Sequence, residues 1–336
     1  MKKYCFLSLI IIVIIISSCV PKKKELQLVK FSGEAQGTYY AVTYFDTEGR
    51  NFQPSIDSIL TAFDQCASIY QKNSIISKIN NNVPDVKVDS NFIQIFNLAQ
   101  KISKETDGAF DCTVGPLVKA WGFSIKENKE LEVPKIDTLM QYIGFRKVKI
   151  ENGLFVKESP EIMIDFNAIA QGYSTDLIAA FLKSKGIENY LVDVGGEVIG
   201  KGKKMDGSTW IVGIEKPAEN AESERIVQTK VMLKDKALCT SGNYRKYRMI
   251  NGKKYSHEID PKTGNPVTHN LLSVSVMASN CGAADAYATA FMVMGLEKSK
   301  IFLAKHPELA VYFIYAGDKG EIKTDQTANF KEYIKD

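Results

Sequence analysis

The chain has 336 residues, of which 45% are hydrophobic and 24% are charged, a composition typical of a folded protein and unlike that of a disordered one. The formal net charge is +4, and it is +2 without Lys2 and Lys3 of the leader, so the mature chain has no strong electrostatic bias. Nucleic acid is therefore excluded from the expected partners.

The first residues predict an export signal. Lys2 and Lys3 precede an apolar run over residues 6–16. This run is shorter than the roughly 20 residues that a membrane-spanning helix needs. A basic start, a short apolar run and small residues after it are the pattern of a signal peptide, which we place over residues 1–18.

Cys19 directly follows Ser17 and Ser18, and this order resembles the lipobox of bacterial lipoproteins, in which the cysteine is lipidated. We therefore predict lipidation of Cys19, a membrane tether over residues 19–30 and a folded domain over residues 31–336. A diacylated Cys19 would anchor the chain at the cell inner membrane, on the periplasmic side. The alternative is an ordinary signal that is cut near Cys19 without lipid.

The first half of the folded domain alternates strand and helix signals. Residues 38–45 alternate as a strand does, and a turn follows them. Pro54 opens a helix, and a second helix is predicted over residues 91–105 from its apolar face. An Asn-Gly turn predicts a hairpin over residues 148–156.

The segment 108–123 is too irregular for a strand and too apolar for a solvated loop. It combines glycines and a proline with Trp121 and the polar pair Asp111 and Thr113. Backbone amides and aromatic side chains of this kind line ligand pockets. A buried hairpin between core elements is the alternative.

Residues 162–186 predict a short strand that changes into a helix. Asp165 and Asn167 stand at the junction, where free main-chain amides favour negative groups such as phosphates. Asn167 could instead cap the helix. Further strands are predicted over residues 190–196, 210–214, 227–233 and 237–240.

The cysteines after the leader are widely spaced and form no Cys-x-x-Cys pair, which argues against a zinc ribbon. An exported protein can form disulfides, but the sequence does not choose a pairing. We expect buried thiols at Cys66, Cys112, Cys239 and Cys281.

Residues 255–267 read Tyr-Ser-His-Glu-Ile-Asp-Pro-Lys-Thr-Gly-Asn-Pro-Val. Pro261 and Gly264 predict a rigid turn, and His257 and Asp260 precede it. An imidazole and a carboxylate presented from a stiff loop favour a catalytic site. A hairpin connection in which Asp260 only caps the turn is the alternative.

A strand is predicted over residues 272–277 and a helix over residues 281–295. Asp285 and Thr289 lie four residues apart on this apolar helix, so the carboxylate and the hydroxyl share a face. Two hard oxygen ligands side by side suit Mg²⁺, which completes its octahedron with water and substrate phosphate. The alternative is a capping aspartate and a threonine that bonds back to its own helix.

The elements alternate without the regular βαβ rhythm of a doubly wound sheet. We therefore predict a mixed α/β (α+β) fold, built as a single domain with mixed sheets and packed helices around a ligand cleft.

Taken together, the motifs resemble those of the ApbE family, the FAD:protein FMN transferases, and the likeness extends from about Gly37 to Gly295. The motifs in the family's order are Gly37-Thr-Tyr, residues 108–118 with Trp121-Gly-Phe, residues 165–176, residues 256–264 and Ala284-Asp-Ala-Tyr-Ala-Thr.

The resemblance implies FAD as substrate, Mg²⁺ as cofactor and transfer of the FMN moiety to a threonine of a target protein, with release of AMP. Mg²⁺ would be held by Asp285, Thr289 and the main-chain carbonyl of Ala168. His257 would take the threonine proton, and Asp260 would orient the loop or the imidazole. By position, the FAD contacts would be Tyr70, Ala109, Phe110, Asp111, Asp165, Gln171, His257 and Ile259.

The implied partner is an exported or membrane protein with a threonine in a flavinylation motif, such as a redox-pump subunit. Two other functions remain open at this point. The same Mg²⁺ site could activate water and make the chain an FAD pyrophosphatase that yields FMN and AMP. Alternatively, the chain could be a non-catalytic flavin-binding lipoprotein, although binding alone needs no base such as His257.

Overall fold

The computed structural model describes residues 25–123, 133, 135–217, 225–243 and 247–335. The predicted signal peptide, Cys19 and the tether up to residue 24 lie outside the described residues. The first strand, β1 (Gln27–Ala35), pairs along its length with β2 (Thr38–Asp46). Residues 27–30 are therefore part of a strand and not of the tether. Val29 and Phe31 are partly buried and alternate with exposed neighbours, which is the period of two of a β-strand.

The described residues form the following elements. The further strands are β3 (Val148–Glu151), β4 (Leu154–Lys157), β5 (Tyr190–Val194), β6 (Glu197–Lys201), β7 (Trp210–Glu215), β8 (Val227–Leu233), β9 (Ala237–Gly242), β10 (Tyr247–Ile250), β11 (Lys253–Ser256), β12 (Leu271–Ala278), β13 (Ala310–Ala316), β14 (Ile322–Gln326) and β15 (Ile334–Lys335). The α-helices are α1 (Gln53–Ala67), α2 (Ile75–Asn80), α3 (Ser90–Glu105), α4 (Gly115–Ala120), α5 (Asp137–Met140), α6 (Ala170–Ser184), α7 (Cys281–Met294) and α8 (Leu296–Leu303).

The largest sheet of the described chain has the strand order β1-β2-β5-β6-β9-β12-β13-β14. Every neighbouring pair in it is antiparallel. Antiparallel strands need no helical crossover between them, so the helices can collect on one face. This agrees with the absence of a βαβ rhythm in the sequence.

The molecule has three layers, with the large sheet in the middle. Val274 and Val276 of β12 belong to the core under the helices, whereas Met277 belongs to the core on the other face. That second face is covered by a smaller sheet of order β15-β8-β7, which contributes Trp210 and Val231. The alternation of side chains along each strand thus places both faces of the large sheet in a hydrophobic core.

Most predicted elements are confirmed: the strand at 38–45, the helices at Pro54, 91–105 and 281–295, the hairpin at 148–156, and the later strands. The short strand expected at the start of residues 162–186 is wrong. Met163 forms only an isolated bridge with Val114, because its neighbour is the start of α4 and not another strand. A Cβ at Gly115 would lie 2.7 Å from the Met163 carbonyl, so the two segments approach closely.

The four cysteines predicted as buried thiols are free and buried, so that expectation is confirmed. No helix in the described part of the chain combines the length and the apolarity that a membrane span requires.

Candidate active site

The start of α6 and the middle of α7 meet through Gly172 and Asp285. Asp285 is buried, and its Oδ2 accepts a hydrogen bond from the main-chain N–H of Gly172 at 3.1 Å. Gly172 lies in the first turn of α6, where the N–H groups have no carbonyl partner within the helix. The described backbone hydrogen bonds give the Ala168 carbonyl no donor. Ala168 precedes α6, which begins at Ala170, so its carbonyl is an unused main-chain oxygen just before the helix.

Gly172 allows the two helices to approach this closely. A Cβ at this position would lie 2.4 Å from the carbonyl oxygen of Cys281 and 2.8 Å from Cβ of Asp285. One turn later on α6, the carboxylate of Asp176 accepts the N–H groups of Cys281 and Gly282, each at 2.8 Å. Asp176 thus caps α7 and fixes its start.

Sequence analysis gave Asp176 no role. The only sequence signal is its spacing of four residues from Gly172, which puts both on one face of α6. Burial raises the pKa of Asp176 to about 6, against the two N–H donors that favour the carboxylate.

Thr289 lies one turn after Asp285 on α7, and its hydroxyl is 3.1 Å from the hydroxyl of Ser241 at the end of β9. No group of three or more His, Cys, Asp and Glu side chains suited to a metal occurs among the described residues. Asp285, Thr289 and the Ala168 carbonyl, which we call the metal corner, supply hard oxygens with a single carboxylate. Such a donor set fits Mg²⁺, which binds few protein oxygens, and does not fit Zn²⁺.

Tyr70 and Asp165 line a pocket of about 190 Å³, which we call the ring pocket. Tyr70 is 63% exposed, and Asp165 is 8% exposed. Burial raises the pKa of Asp165. The pKa of Tyr70 is raised by burial first and then by the negative charge of Asp165. An exposed aromatic face beside a buried carboxyl suits a flat ring with polar edges.

Asn167 is not the cap of α6. The residue before that helix is Ile169, and α6 has no side-chain cap. Asn167 instead donates its main-chain N–H to Oδ1 of Asp165 at 2.7 Å. Its side-chain amide donates to Oδ2 of the same carboxylate at 3.3 Å, so Asn167 holds Asp165 in place.

The carboxylate of Asp111 holds its own segment together. Its Oδ1 accepts the N–H and the hydroxyl of Thr113 at 2.8 and 2.7 Å, and its Oδ2 accepts the N–H of Phe145 at 2.7 Å. Burial raises the pKa of Asp111. Ala109 and Phe110 are buried beside it. Contacts of these residues with FAD stay a prediction.

Residues 255–267, which we call the histidine loop, present His257 beside an acidic neighbour. The Nε2 atom of His257 lies 3.3 Å from Oε1 of Glu258, whose side chain is 6% exposed. The sequence predicted that Asp260 would orient the loop or the imidazole, and it gave Glu258 no role. The side chain of Asp260 forms a hydrogen bond within the turn, where its Oδ1 accepts the N–H of Lys262 at 2.9 Å. Asp260 therefore stiffens the turn, and a catalytic role for it stays a prediction.

The histidine loop is docked on the segment 108–123. The indole N–H of Trp121 donates to the carbonyl of Gly264 at 2.8 Å. The ammonium of Lys262 reaches Asp107 at 2.6 Å. Ile259 is buried in the same small core as Trp121, and its contact with FAD stays a prediction.

Gln171 lies in the first turn of α6, directly before Gly172. Its carbonyl accepts the hydroxyls of Ser174 and Thr175 at 2.8 and 2.9 Å. Its amide nitrogen is 3.0 Å from the position that a Cβ at Gly195 would take. The side chain of Gln171 thus lies between α6 and the β5–β6 turn, and its contact with FAD stays a prediction.

Two continuous segments join these groups. Residues 163–172 run from the ring pocket to the contact between Gly172 and Asp285 in the metal corner. Residues 108–123 run alongside them, with the N–H of Asp165 donating to the Cys112 carbonyl at 2.8 Å, and end at Trp121 under the histidine loop. Motifs that are separate in the sequence are therefore neighbours in the fold. That His257 lies close to the metal corner stays a prediction.

Residues 36–313 match the model of the ApbE family. The chain belongs to this family. An FAD:protein FMN transferase of Haemophilus influenzae is 33% identical over 99% of this chain and 98% of its own length. That match extends the likeness beyond the family model to nearly the whole sequence.

Solved ApbE structures share the fold. The flavin transferase ApbE from Vibrio cholerae has a TM-score of 0.81 at 33% identity, over 92% of this chain and all of that one. The apo flavinyl transferase ApbE of Pseudomonas stutzeri has a TM-score of 0.80 at 30% identity, over 91% and 96% of the two chains. The predicted mixed α/β single-domain fold is confirmed.

Proposed function

We propose that this chain is an FAD:protein FMN transferase, which moves the FMN moiety of FAD to a threonine hydroxyl of a target protein and releases AMP. The family match and the transferase relatives at about one-third identity support this function. The observation that carries it in this chain is the metal corner, where Asp285 accepts the Gly172 N–H at the start of α6 and the Ala168 carbonyl, just before that helix, has no donor among the described backbone hydrogen bonds.

The reaction exchanges the phosphoanhydride bond of FAD for a phosphoester bond to threonine. The threonine oxygen bonds to the FMN phosphorus of FAD, the bond from that phosphorus to the bridging oxygen breaks, and the bridging oxygen leaves with AMP. Such a displacement needs little covalent help and much neutralisation of charge. Bound Mg²⁺ would supply that neutralisation at the phosphate oxygens. Asp285, Thr289 and the Ala168 carbonyl would hold it.

His257 is the base in this proposal. Its Nε2 lies beside the buried carboxylate of Glu258, so the ring donates there and Nδ1 accepts the threonine proton. Glu258 orients the imidazole as a positioning residue. Asp260 and Trp121 hold the loop that carries the ring.

The ring pocket would receive the flavin, with Tyr70 against its face. The exposed ring of Tyr70 offers a stacking surface, and Asp165 offers a buried polar group at the edge. In this arrangement the FMN phosphate points along residues 165–172 towards the metal corner.

The function is tested with the purified protein, FAD, Mg²⁺ and an acceptor domain that bears the target threonine. Mass spectrometry of the acceptor should show a gain of one FMN, which requires Mg²⁺ and is lost in Asp285→Ala. Asp206→Ala, which removes an exposed carboxylate in a distant turn, is the matched control and should keep full transfer. Release of FMN and AMP without acceptor modification would favour the pyrophosphatase, and intact bound FAD would favour a storage protein.

The acceptor and the location belong to the same proposal. We propose an exported or membrane protein, such as a redox-pump subunit, as acceptor, and a lipid on Cys19 that holds the enzyme at the periplasmic side of the inner membrane. Metabolic labelling with a fatty acid should mark the wild-type protein and not Cys19→Ala. Equal labelling of both would refute the anchor.

A further inference from the structure

Three loops of the described chain lie together at the end of the large sheet where β1 begins. Gln27, the first residue of β1, is at this end. So is Arg50 of the β2–α1 loop, whose Nη2 donates to the carbonyl of Lys185 after α6 at 3.2 Å. In the same α6–β5 loop, the side-chain oxygen of Asn189 accepts the N–H of Lys203, in the β6–β7 loop, at 2.8 Å. These hydrogen bonds join the loops into one continuous surface around the point where the chain enters β1.

Apolar side chains are exposed on this surface. Met205 in the β6–β7 loop is 63% exposed, and Leu28 is 58% exposed. Leu28 pairs with Phe45, so the two side chains share a face of the sheet. Phe45 stacks on Trp210, and the ammonium of Lys204 lies 6.0 Å from the centre of that indole ring. Leu28 and the loop of Met205 therefore border the same aromatic pair.

Positive charge predominates on this surface. Asp46 and Glu48 both pair with Arg50, at 2.8 and 3.6 Å. Oδ1 of Asp206 accepts a main-chain N–H within its own turn, and Glu188 is exposed in the α6–β5 loop. The lysines outnumber these acidic residues, and they are Lys183, Lys185, Lys201, Lys203 and Lys204.

The other end of the same strands is acidic. The β1–β2 turn, which contains Gln36, and the β5–β6 turn lie there. Residues 34–39 and 193–197 contain no Lys or Arg, and their acidic residues are Glu34, Asp193 and Glu197. The two ends therefore differ in the sign of their charge, so an anionic surface attracts the end where the chain enters and repels the other.

The proposed lipid site is close in sequence to the basic end. Cys19 precedes Gln27 by eight residues, and a chain of that length spans at most roughly 29 Å. The segment between them adds Lys22, Lys23 and Lys24. A lipid on Cys19 would keep this end of the domain within that distance of a bilayer, where basic and exposed apolar side chains bind anionic lipid.

We propose that this surface binds anionic phospholipid, with Leu28 and Met205 at the level of the headgroups and the surrounding lysines paired with lipid phosphates. We call it the entry face, defined by Leu28, Lys185, Lys203, Lys204 and Met205. The inference rests on the proposed lipid at Cys19, and it adds an orientation to the anchor. Because β1 has 9 residues, the turns at its far end stand up to roughly 30 Å from the lipid. The threonine of a membrane acceptor must then project by a similar distance.

The test uses the lipidated mature protein, reconstituted into vesicles of phosphatidylcholine alone or mixed with phosphatidylglycerol. Met205→Cys carries an environment-sensitive fluorophore, since the thiols of the folded domain are buried. On the mixed vesicles its emission should shift to shorter wavelength, and spin-labelled lipid should quench it. Met249→Cys is the matched control, because Met249 is also exposed, by 58%, on the β10–β11 hairpin outside the entry face. Its emission should not shift.

Charge reversal tests the lysines. Lys203→Glu combined with Lys204→Glu should abolish the shift and the quenching at position 205, while the protein still floats with the vesicles through its lipid. Lys101→Glu combined with Lys104→Glu makes the same change of charge at exposed positions of α3 and should keep the shift. High salt should reverse the shift without any substitution, because it screens exposed charges.

The outcomes separate the entry face from the proposals on which it depends. A protein that floats with the mixed vesicles while the probes at Met205 and Met249 respond alike would overturn the inference. An equal shift on phosphatidylcholine alone would also overturn it, since no anionic lipid would then be recognised. A protein that floats with neither kind of vesicle would refute the lipid anchor itself. FMN transfer is measured separately on the acceptor, so its loss would count against the proposed activity and not against the entry face.

Discussion

One absent methyl group decides how closely α6 approaches α7. The position that a Cβ would take at Gly172 is 2.4 Å from a backbone oxygen, that of Cys281. A backbone atom cannot move aside as the end of a long side chain can. The main-chain N–H of Gly172 and the carboxylate of Asp285 meet only because of this approach. The glycine therefore sets both the packing of the helices and the orientation of the expected metal ligand.

We predict that Gly172→Ala separates the helices. Alanine favours a helix by roughly 1 kcal/mol over glycine, but overpacking a buried contact costs about 1–3 kcal/mol. With backbone atoms at 2.4 and 2.7 Å, the steric cost wins. The free energy of unfolding should fall by about 2 kcal/mol in urea denaturation, and the Mg²⁺ concentration needed for half-maximal FMN transfer should rise.

Gly282→Ala is the control on the same pair of helices. Its Cβ would meet the Cδ2 atom of Leu98 at 3.0 Å, which is the end of a flexible side chain. This variant should be as stable as the wild type or more stable, with an unchanged Mg²⁺ requirement. Equal stability of Gly172→Ala and wild type would contradict the packing argument.

At the scale of elements, the histidine loop depends on its support. It contains little regular structure, and it is fixed by the Trp121 hydrogen bond to Gly264, by the Lys262 contact with Asp107, and by the turn bond of Asp260. A loop held from outside by other segments keeps its side chains in one geometry. A catalytic base needs such fixed geometry, because small displacements reduce the rate strongly.

We predict that Trp121→Phe slows FMN transfer about tenfold without weakening FAD binding. The ring still packs on Tyr255, at a centroid distance of 5.1 Å, but the hydrogen bond to Gly264 is lost. Without it the loop that carries His257 is less well positioned, which corresponds to roughly 1.4 kcal/mol in the barrier. Single-turnover transfer rates and FAD titration measure the two quantities separately.

The other tryptophan supplies the control. The indole N–H of Trp210 also donates to a carbonyl, that of Lys201, at 2.7 Å, but this contact lies in the core between the two larger sheets. Trp210→Phe should lower the free energy of unfolding by about 1 kcal/mol and leave the transfer rate unchanged. If the two variants slowed transfer equally, the loss would reflect stability and not the position of the loop.

Periodic elements could be predicted from the sequence and irregular ones could not. The apolar residues of α3, among them the buried Phe92, Ile95 and Ile102, repeat at helical spacing, so this helix could be predicted from the sequence. The apolar residues at 162–164 have no period, and their short length fits a strand as well as a buried connection. Only the approach of Val114 shows that they form a single bridge.

The site residues divide in the same way. Residue types at motif spacing predicted Asp285 with Thr289 and the loop of His257 as site residues, and their roles stay predictions. The contact of Glu258 with its neighbour His257 was not predictable, because the sequence does not show which way two adjacent side chains turn. The contacts of Asp176 were not predictable, because they depend on the approach of a second segment. Asp176 acts on α7, which begins 105 residues later in the sequence. No local pattern encodes such a distance.

At the scale of the whole molecule, the strand pairing of the large sheet shows which features lie at each of its two ends. The turns after β1 and β5 lie at one end, where Ala35 pairs with Thr38 and Val194 with Glu197. The described chain enters at the other end, where Gln27 pairs with Asp46. The groups around Gln36 and Gln171 are therefore at the end of the sheet away from the entry. A tether that leads into β1 would leave the candidate active site unobstructed.

Stability against pH is also a property of the whole molecule, because groups in different layers oppose each other. Burial raises the pKa of Asp176 to about 6, so its contribution to stability is present in acid and is lost as pH rises through that value. Burial lowers the pKa of His269, so its contribution is lost as pH falls through the unfolded value near 6.5. The contribution of Asp46, whose pKa is about 2 beside Arg50, is fully present above about pH 5 and is lost only in stronger acid.

We predict that the contribution of Asp176 to stability can be measured by comparing the free energies of unfolding of the wild type and Asp176→Asn. From pH 7 to pH 5 the folded wild type takes up a proton at Asp176, while the unfolded chain, with a pKa near 3.9, does not. This uptake adds about 1 kcal/mol to wild-type stability at pH 5. The terms from His269 and the other groups are common to both proteins and cancel. Urea denaturation at both pH values should therefore show a larger stability gap between the proteins at pH 5 than at pH 7. A gap that narrows at pH 5 would mean that the N–H groups of Cys281 and Gly282 outweigh burial and hold Asp176 ionised.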